Sequence, residues 1–501
     1  MKRKRIRIRG KVERESVQPH ATGARLRNAV KRIVPDAVKR KLGPAVDNAA
    51  AEPSPHSGLL PHQSRVVERL RAVSGLVVAH GLGTGKTRTA LAAQADSGKP
   101  ADVVAPAALV EHWRKEIVKW KNQHGRVHLH SQQQAARAGF VGVAPLTIVD
   151  EGHRARNAGT KLAAELRAAP GGKRMLLTGT PMYNRPSDVA PLVNWAAGKK
   201  VLPEGAAFER RHLAPGIIDR LRGRQLSHVK ELVKAFAAHV DFHGGREGDT
   251  PPVHERRVNV PMGPHQSQLY QAAIGAIPWE VRKHLHKGNV DEKAIARLRP
   301  YLTGPRMLSN TTAAVRSSII EQPKIDRAFA DLKDHLRSAE GKALVYSNWI
   351  EGGIAPMRRK LEEAHIPHGV FTGDPDHKKR AAAVQAYNEG KTRVLLVSSS
   401  GGEGLDLKGT RLVQVLEPHF NRAKIEQVIG RASRIGSHDH LPPEQRNVEV
   451  VHYLAQPRSS LLGTAQHGVD NWLTDLSEKK DKLHRELKVL MAKATAQYRK
   501  P

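Results

Sequence analysis

The segment His80-Gly81-Leu82-Gly83-Thr84-Gly85-Lys86-Thr87 places three glycines, a threonine, a lysine and a second threonine within eight residues. Small residues let backbone N–H groups approach an anion, and a helix beginning at the lysine turns its positive end towards it. The chemistry is phosphate binding, with Lys86 reaching the outer phosphates and the Thr87 hydroxyl on magnesium. The full pattern G-x-x-x-x-G-K-[ST] asks for glycine at position 80, where this chain has His80. The loop is therefore a variant, and a plain glycine turn is the alternative reading. Asp150-Glu151-Gly152-His153 follows the apolar run Leu146–Val149, where a parallel sheet exposes its ligand end. Asp150 can hold a metal ion there, and Glu151 can orient or deprotonate water. Phosphoryl transfer uses these parts because its catalysis is mostly positioning and charge neutralisation. Thr178-Gly179-Thr180-Pro181 ends another apolar run with small hydroxyl residues, and taken alone it reads as a turn.

These groups need strands to hold them. Leu76–His80, Ala101–Ala105, Pro145–Asp150 and Lys173–Thr178 are short aliphatic runs with helical stretches between them. A second series consists of Ala343–Ser347, His368–Phe371, Arg393–Ser398, Arg411–Leu416 and Val448–Tyr453. Such alternation predicts α/β architecture with parallel sheets in two lobes. The expected division is a basic arm and linker over 1–57, a first lobe over 58–200, a mostly helical middle over 201–322, a second lobe over 323–460, and an amphipathic C-terminal helix within 461–501. That helix is expected to pack on the second lobe or on a partner.

Composition narrows the partner. The 501 residues carry a net charge of +35, which points to nucleic acid before an acidic membrane surface. The first 50 residues alone hold 15 lysines and arginines against 4 acids; a nucleic-acid arm and a solvated tail are both open. Cysteine is absent, which excludes disulfides, thiolate zinc sites and cysteine nucleophiles. His124, His128 and His130 cluster without a thiolate or a spaced carboxylate, so they read as surface or nucleic-acid-facing residues. No long apolar run is present, and the basic opening lacks the apolar stretch of a secretory signal. An intracellular location is expected, with nucleus, cytoplasm and virion undecided.

The order of these motifs resembles the superfamily 2 helicase-like ATPases, in particular the Swi/Snf-like translocases. Leu60-Pro61-His62-Gln63 is similar to the adenine-recognition motif of that family, which implies Gln63 as base reader. Gly81, Gly83, Thr84, Gly85, Lys86 and Thr87 match motif I, Asp150–His153 motif II, and Leu177–Asn184 motif III. The stretch from Pro106 to Trp113, with Glu116, resembles the segment that touches the nucleic-acid backbone. Ser398–Leu407 resembles motif V, which implies nucleotide contacts by Gly404 and Asp406, although many chromatin remodellers have asparagine at the latter. Gln427–Arg434 resembles motif VI, implying that Gln427, Arg431 and Arg434 act in catalysis with the two arginines as fingers. Residues 430–448 are similar to the viral nucleoside triphosphate phosphohydrolase I branch. The resemblance implies two RecA-like lobes, ATP and Mg2+ as cofactors, and an ATP-dependent translocase on nucleic acid, with duplex DNA the first choice. A strand-separating helicase or RNA-directed ATPase is the alternative, and a non-hydrolysing basic binding protein the third.

Overall fold

The computed structural model describes residues 58–498 except 82, 121–126, 141, 214–225, 246–249, 286–291, 339–340, 374–375, 400–405 and 459–467. The basic arm and linker lie outside the described residues. The described part falls within one unit of the chain, Val46–Pro501.

Two six-stranded parallel sheets carry the molecule. The first holds β1 (Gly75–His80), β2 (Ala101–Ala105), β3 (Val127–Ser131), β4 (Leu146–Val149), β5 (Lys173–Thr178) and β6 (Val240–His243), in the order β3-β2-β4-β5-β1-β6. The second holds β7 (Val253–Pro261), β8 (Lys342–Ser347), β9 (His368–Phe371), β10 (Val394–Ser398), β11 (Thr410–Val415) and β12 (Val448–Gln456), in the order β7-β12-β11-β8-β10-β9. Every residue of β1, β2, β4 and β10 is buried, which is why these strands read as mostly apolar runs. Helices cover both faces of the first sheet. Val78 packs with Val66, Val67 and Leu70 of the helix Pro61–Ala72 on one side. Val77 and Ala79 face Leu192, Val193 and Phe236 on the other.

Three strands escape the sequence pattern. In β3 histidines alternate with apolar residues; His128 and His130 turn to the buried carboxylate of Asp102 rather than outward alone. β6 has four residues, one of them a buried aspartate. β7 is an edge strand carrying His254, Glu255, Arg256 and Arg257, nearly all of it exposed, and its register against β12 runs unbroken from Val253↔Val448 to Pro261↔Gln456. Edge strands are held by the partner's ladder and blunted by charge, so their own residues carry little strand signal. The middle region is mostly helical, and it also supplies β6 to the first sheet and β7 to the second.

The tail helix Val469–Ala496 has 28 residues, enough to run about 42 Å. Its first half buries Val469, Trp472, Leu473 and Leu476 with Tyr270, Leu302 and Phe420 beside the second sheet. Its last turns bury Leu487, Met491 and Ala494 in the core of the first. The helix thus spans both lobes, where the sequence favoured one. A buried ion pair fixes its first turn: Lys324 Nζ lies 2.7 Å from Asp470 Oδ2, and the Ala455 amide donates to the same oxygen. Among the described residues no helix is long and apolar enough to cross a membrane.

Candidate active site

β1 delivers its last residue, His80, directly into the glycine loop. Gly83 and Gly85 have φ of +78° and +76°, a region that favours glycine, and Gly85 caps the helix Lys86–Ser97. The loop is closed on itself. Lys86 Nζ donates to the carbonyls of His80 (3.0 Å) and Gly81 (2.8 Å), and Thr84 Oγ1 donates to the Gly81 carbonyl. Burial lowers the Lys86 ammonium from its ordinary value, while Glu151 and Asp150 act to keep it charged. Gln63 lies against the loop from above, its Nε2 donating to the Thr84 carbonyl at 3.2 Å and its Oε1 accepting from the Leu60 amide. His62 Nε2 meets the same Thr84 carbonyl at 3.0 Å.

β4 ends at Asp150. One carboxylate oxygen accepts from the Trp113 indole at 2.9 Å, the other from the Glu151 amide at 2.8 Å. Trp113 is fully buried, so it supports Asp150 from behind instead of lying on a nucleic-acid face. Glu151 adopts φ +46°, a left-handed conformation rare for a side chain other than glycine or asparagine and a known mark of functional sites. Gly152 has no room for a Cβ, which would lie 2.2 Å from Leu176 Cγ. Burial and the Glu151 charge push the Asp150 carboxyl up. Burial acts on Glu151 too, but His153, Lys86 and Arg431 outweigh it and hold that carboxyl down. His153 Nδ1 sits 3.2 Å from Glu151 Oε2 and 3.3 Å from Thr178 Oγ1, and its ring stacks on Tyr183 at 5.1 Å. The segments Asp150–His153 and Thr178–Tyr183 are thereby joined.

The second lobe closes the site. The helix Arg422–Ala432 carries Gln427 and Arg431, and Arg434 follows it. A Cβ placed on Gly83 would meet Arg434 Cα at 3.4 Å, so the two lobes touch at the loop. Arg431 and Arg434 both act electrostatically on Lys86. Arg431 is buried, and the Nε of each arginine has no hydrogen-bond partner among the described residues. Arg434 NH1 reaches Asp406 at 3.3 Å; burial and Arg431 lower its guanidinium to about 10. Gln427 lines a cavity of about 170 Å3 with His153, Arg154, Arg156, Tyr183, Tyr346 and Lys424. Gly404 lies outside the described residues.

Two family models match the chain. The SNF2-related domain matches residues 141–314, and the helicase conserved C-terminal domain matches residues 327–436. The chain thus carries the two domains of SNF2-related, helicase-type ATPases. As such it is a nucleic-acid-dependent ATPase of helicase superfamily 2. A protein of Acanthamoeba polyphaga mimivirus, named as an ATP-dependent RNA helicase, is 27% identical over 84% of this chain and 94% of its own length. The African swine fever virus termination factor NPH-I homologue is 24% identical over 79% of this chain and 71% of its own. Among solved structures, the Sulfolobus solfataricus SWI2/SNF2 ATPase core in complex with dsDNA aligns over 90% of this chain and 98% of its own, at 17% identity and a TM-score of 0.36. The SNF2-related match begins at residue 141, so the glycine loop stands on its own geometry.

Sequence reading missed what lies behind the reacting groups. Trp113 carried a different expectation. Asp241 carried none, because its partner Arg65 is 176 residues away in the chain.

Proposed function

We propose that this SNF2-related ATPase is a motor that moves along duplex DNA, held through backbone phosphates and without separating strands. One observation supports the reading above the rest: the reacting groups are divided between two lobes that meet at Gly83 and Arg434. Hydrolysis on such a site requires closure, so each turnover is coupled to lobe motion.

In this reading Gln63 contacts the base, the loop amides and Lys86 take the phosphates, and Glu151 orients the attacking water. Thr87 and Asp150 would hold Mg2+. Their hydroxyl and carboxylate are the hard oxygen donors that ion prefers, and no group of three or more His, Asp or Glu among the described residues offers another cage. Bound Mg2+ would neutralise charge on the phosphates. Lys86 must leave the His80 and Gly81 carbonyls for this, exchanging internal acceptors for phosphate oxygens. Arg431 and Arg434, with unpartnered Nε atoms, stabilise charge on the transferred group. Gln427, Gly404 and Asp406 complete the second lobe's contribution. Phosphate-dominated binding makes affinity fall steeply with salt and carries little sequence information.

The test is ATP hydrolysis without nucleic acid and with single-stranded DNA, duplex DNA or RNA, beside Lys86→Ala. Stimulation chiefly by duplex DNA is expected, with no turnover in Lys86→Ala. The name of the mimivirus relative favours a second reading, an RNA-directed or strand-separating enzyme. Stimulation by RNA or single strands would select it.

A further inference from the structure

His80 replaces the first glycine of the phosphate-loop pattern, and the structure shows where its ring goes. It is fully buried on the face of β1 that carries Val78, where Nε2 meets Asp241 Oδ1 at 2.7 Å. A carboxylate only accepts, so Nε2 is the protonated nitrogen. Asp241 stands on β6, beside β1 in parallel register, with Val78↔Asp241 and His80↔His243. It is fully buried and oversubscribed. Arg65 donates to both its oxygens (2.9 and 2.8 Å), and Arg69 NH1 donates at 3.1 Å. Arg69 also donates to the carbonyls of Val240 and Ala237. Arg65 and Arg69 are one turn apart on the helix Pro61–Ala72, which also carries Gln63. Next to Asp241, His243 stacks on His62 at 4.0 Å, and its carbonyl accepts from the Gly81 amide at 2.8 Å.

One buried carboxylate therefore ties together the helix that bears Gln63, the strand that ends in the loop, and β6 from the middle region. We propose that Asp241 is a positioning residue for nucleotide binding, acting through His80 to fix the entry of the phosphate loop. This rests on the reading of that loop as the phosphate site. The bulky side chain at position 80 is tolerated because its ring leaves the loop for the Asp241 pocket. The turn from His80 into Gly81, whose amide is held by the His243 carbonyl, is fixed as a result. Preorganisation of this kind lowers the ordering needed on binding and acts on affinity more than on the chemical step.

The experiment measures equilibrium binding of a fluorescent ATP analogue and steady-state ATP hydrolysis for the full chain and for Asp241→Asn, His80→Ala, the double variant and Lys86→Ala. A hydrogen bond to a charged group has the strength to change binding by about tenfold. Asp241→Asn and His80→Ala are each expected to raise Kd and KM for nucleotide by about tenfold, with kcat within about twofold. Nucleic-acid binding without nucleotide is expected to stay as in the parent chain. The double variant is expected to match the singles, because both break one link. Additive penalties would overturn action through His80, and a parallel loss of kcat, stability and nucleic-acid binding would reduce Asp241 to a structural role. If Asp241→Asn does not fold, His80→Ala decides alone: parent-like Kd overturns the proposal. Lys86→Ala separates the layers. Lost binding there with unchanged binding in Asp241→Asn overturns only the role of Asp241, whereas parent-like binding in Lys86→Ala overturns the phosphate-loop reading itself.

Discussion

The two lobes bring opposite conditions to the cleft between them. In the first, the reacting groups are already satisfied: Lys86 on loop carbonyls, Asp150 on Trp113 and the Glu151 amide, Glu151 beside His153. In the second, Arg431 is buried with an Nε that has no partner among the described residues, and burial depresses Arg434. Buried donors without partners are costly unless something arrives to meet them. In the proposed reading the first lobe receives the nucleotide, and the second supplies charge to the transferred phosphate. That asymmetry suits an enzyme in which binding belongs to one lobe and turnover needs both.

The comparison can be broken first at Arg431. Arg431→Ala is expected to lower kcat by about 10^3-fold, the usual scale for a lost arginine finger, while nucleotide Kd changes little. Stopped-flow binding beside steady-state hydrolysis checks this; equal losses in both would mean that the lobes share binding. The tail helix offers a second cut, since each lobe holds one end. Asp470→Asn leaves Lys324 buried without its counter-charge and is expected to cost about 3–5 kcal/mol. Met491→Ala, in the core of the first lobe, should cost about 2–5 kcal/mol. Denaturant unfolding measures both, and a second transition in either variant would show that the helix couples lobes that otherwise unfold apart.

A smaller effect is expected at Trp113→Phe. Removing the indole donor loosens Asp150 without touching the loop, and outer contacts to a metal ligand typically change metal affinity by about tenfold or more. Titration of Mg2+ into the chain with bound fluorescent nucleotide would show the shift, and an unchanged curve would free Asp150 from its support. The gentlest probe is acid. Burial holds His243 in the first lobe at about 4, and His419 in the second at about 3, against an ordinary 6.5. The unfolded chain takes up protons first, so this stability is present above about 6.5 and is lost as pH falls towards 4. Thermal melts from pH 7 to 4 should therefore show a falling Tm, and a flat profile would mean these rings are solvated.

Much of the site was legible because its chemistry is local. Glycines beside Lys86 and the acidic pair after a strand announce themselves by spacing, and Gln427 to Arg434 by resemblance to motif VI. The strands β2, β5 and β9 match their sequence-read limits to the residue, since each has a short aliphatic stretch bounded by turns or helices. By contrast β6 and β7 were hidden in the helical middle region, one because its four residues include a buried aspartate, the other because a charged edge strand depends on its neighbour. The support that Trp113 gives Asp150 was not legible, as its indole partner lies 37 residues further on.

By itself, then, the sequence determined the two α/β lobes and named the candidate groups for phosphate chemistry. Local backbone and charge requirements write those into consecutive residues. Only the tertiary structure decided that Asp241 sits under His80, that Trp113 backs Asp150, and that the tail helix joins both lobes. Each depends on a buried polar or apolar group finding its partner across more than thirty residues, and the energy that selects such a partner exists only once water has been excluded from both.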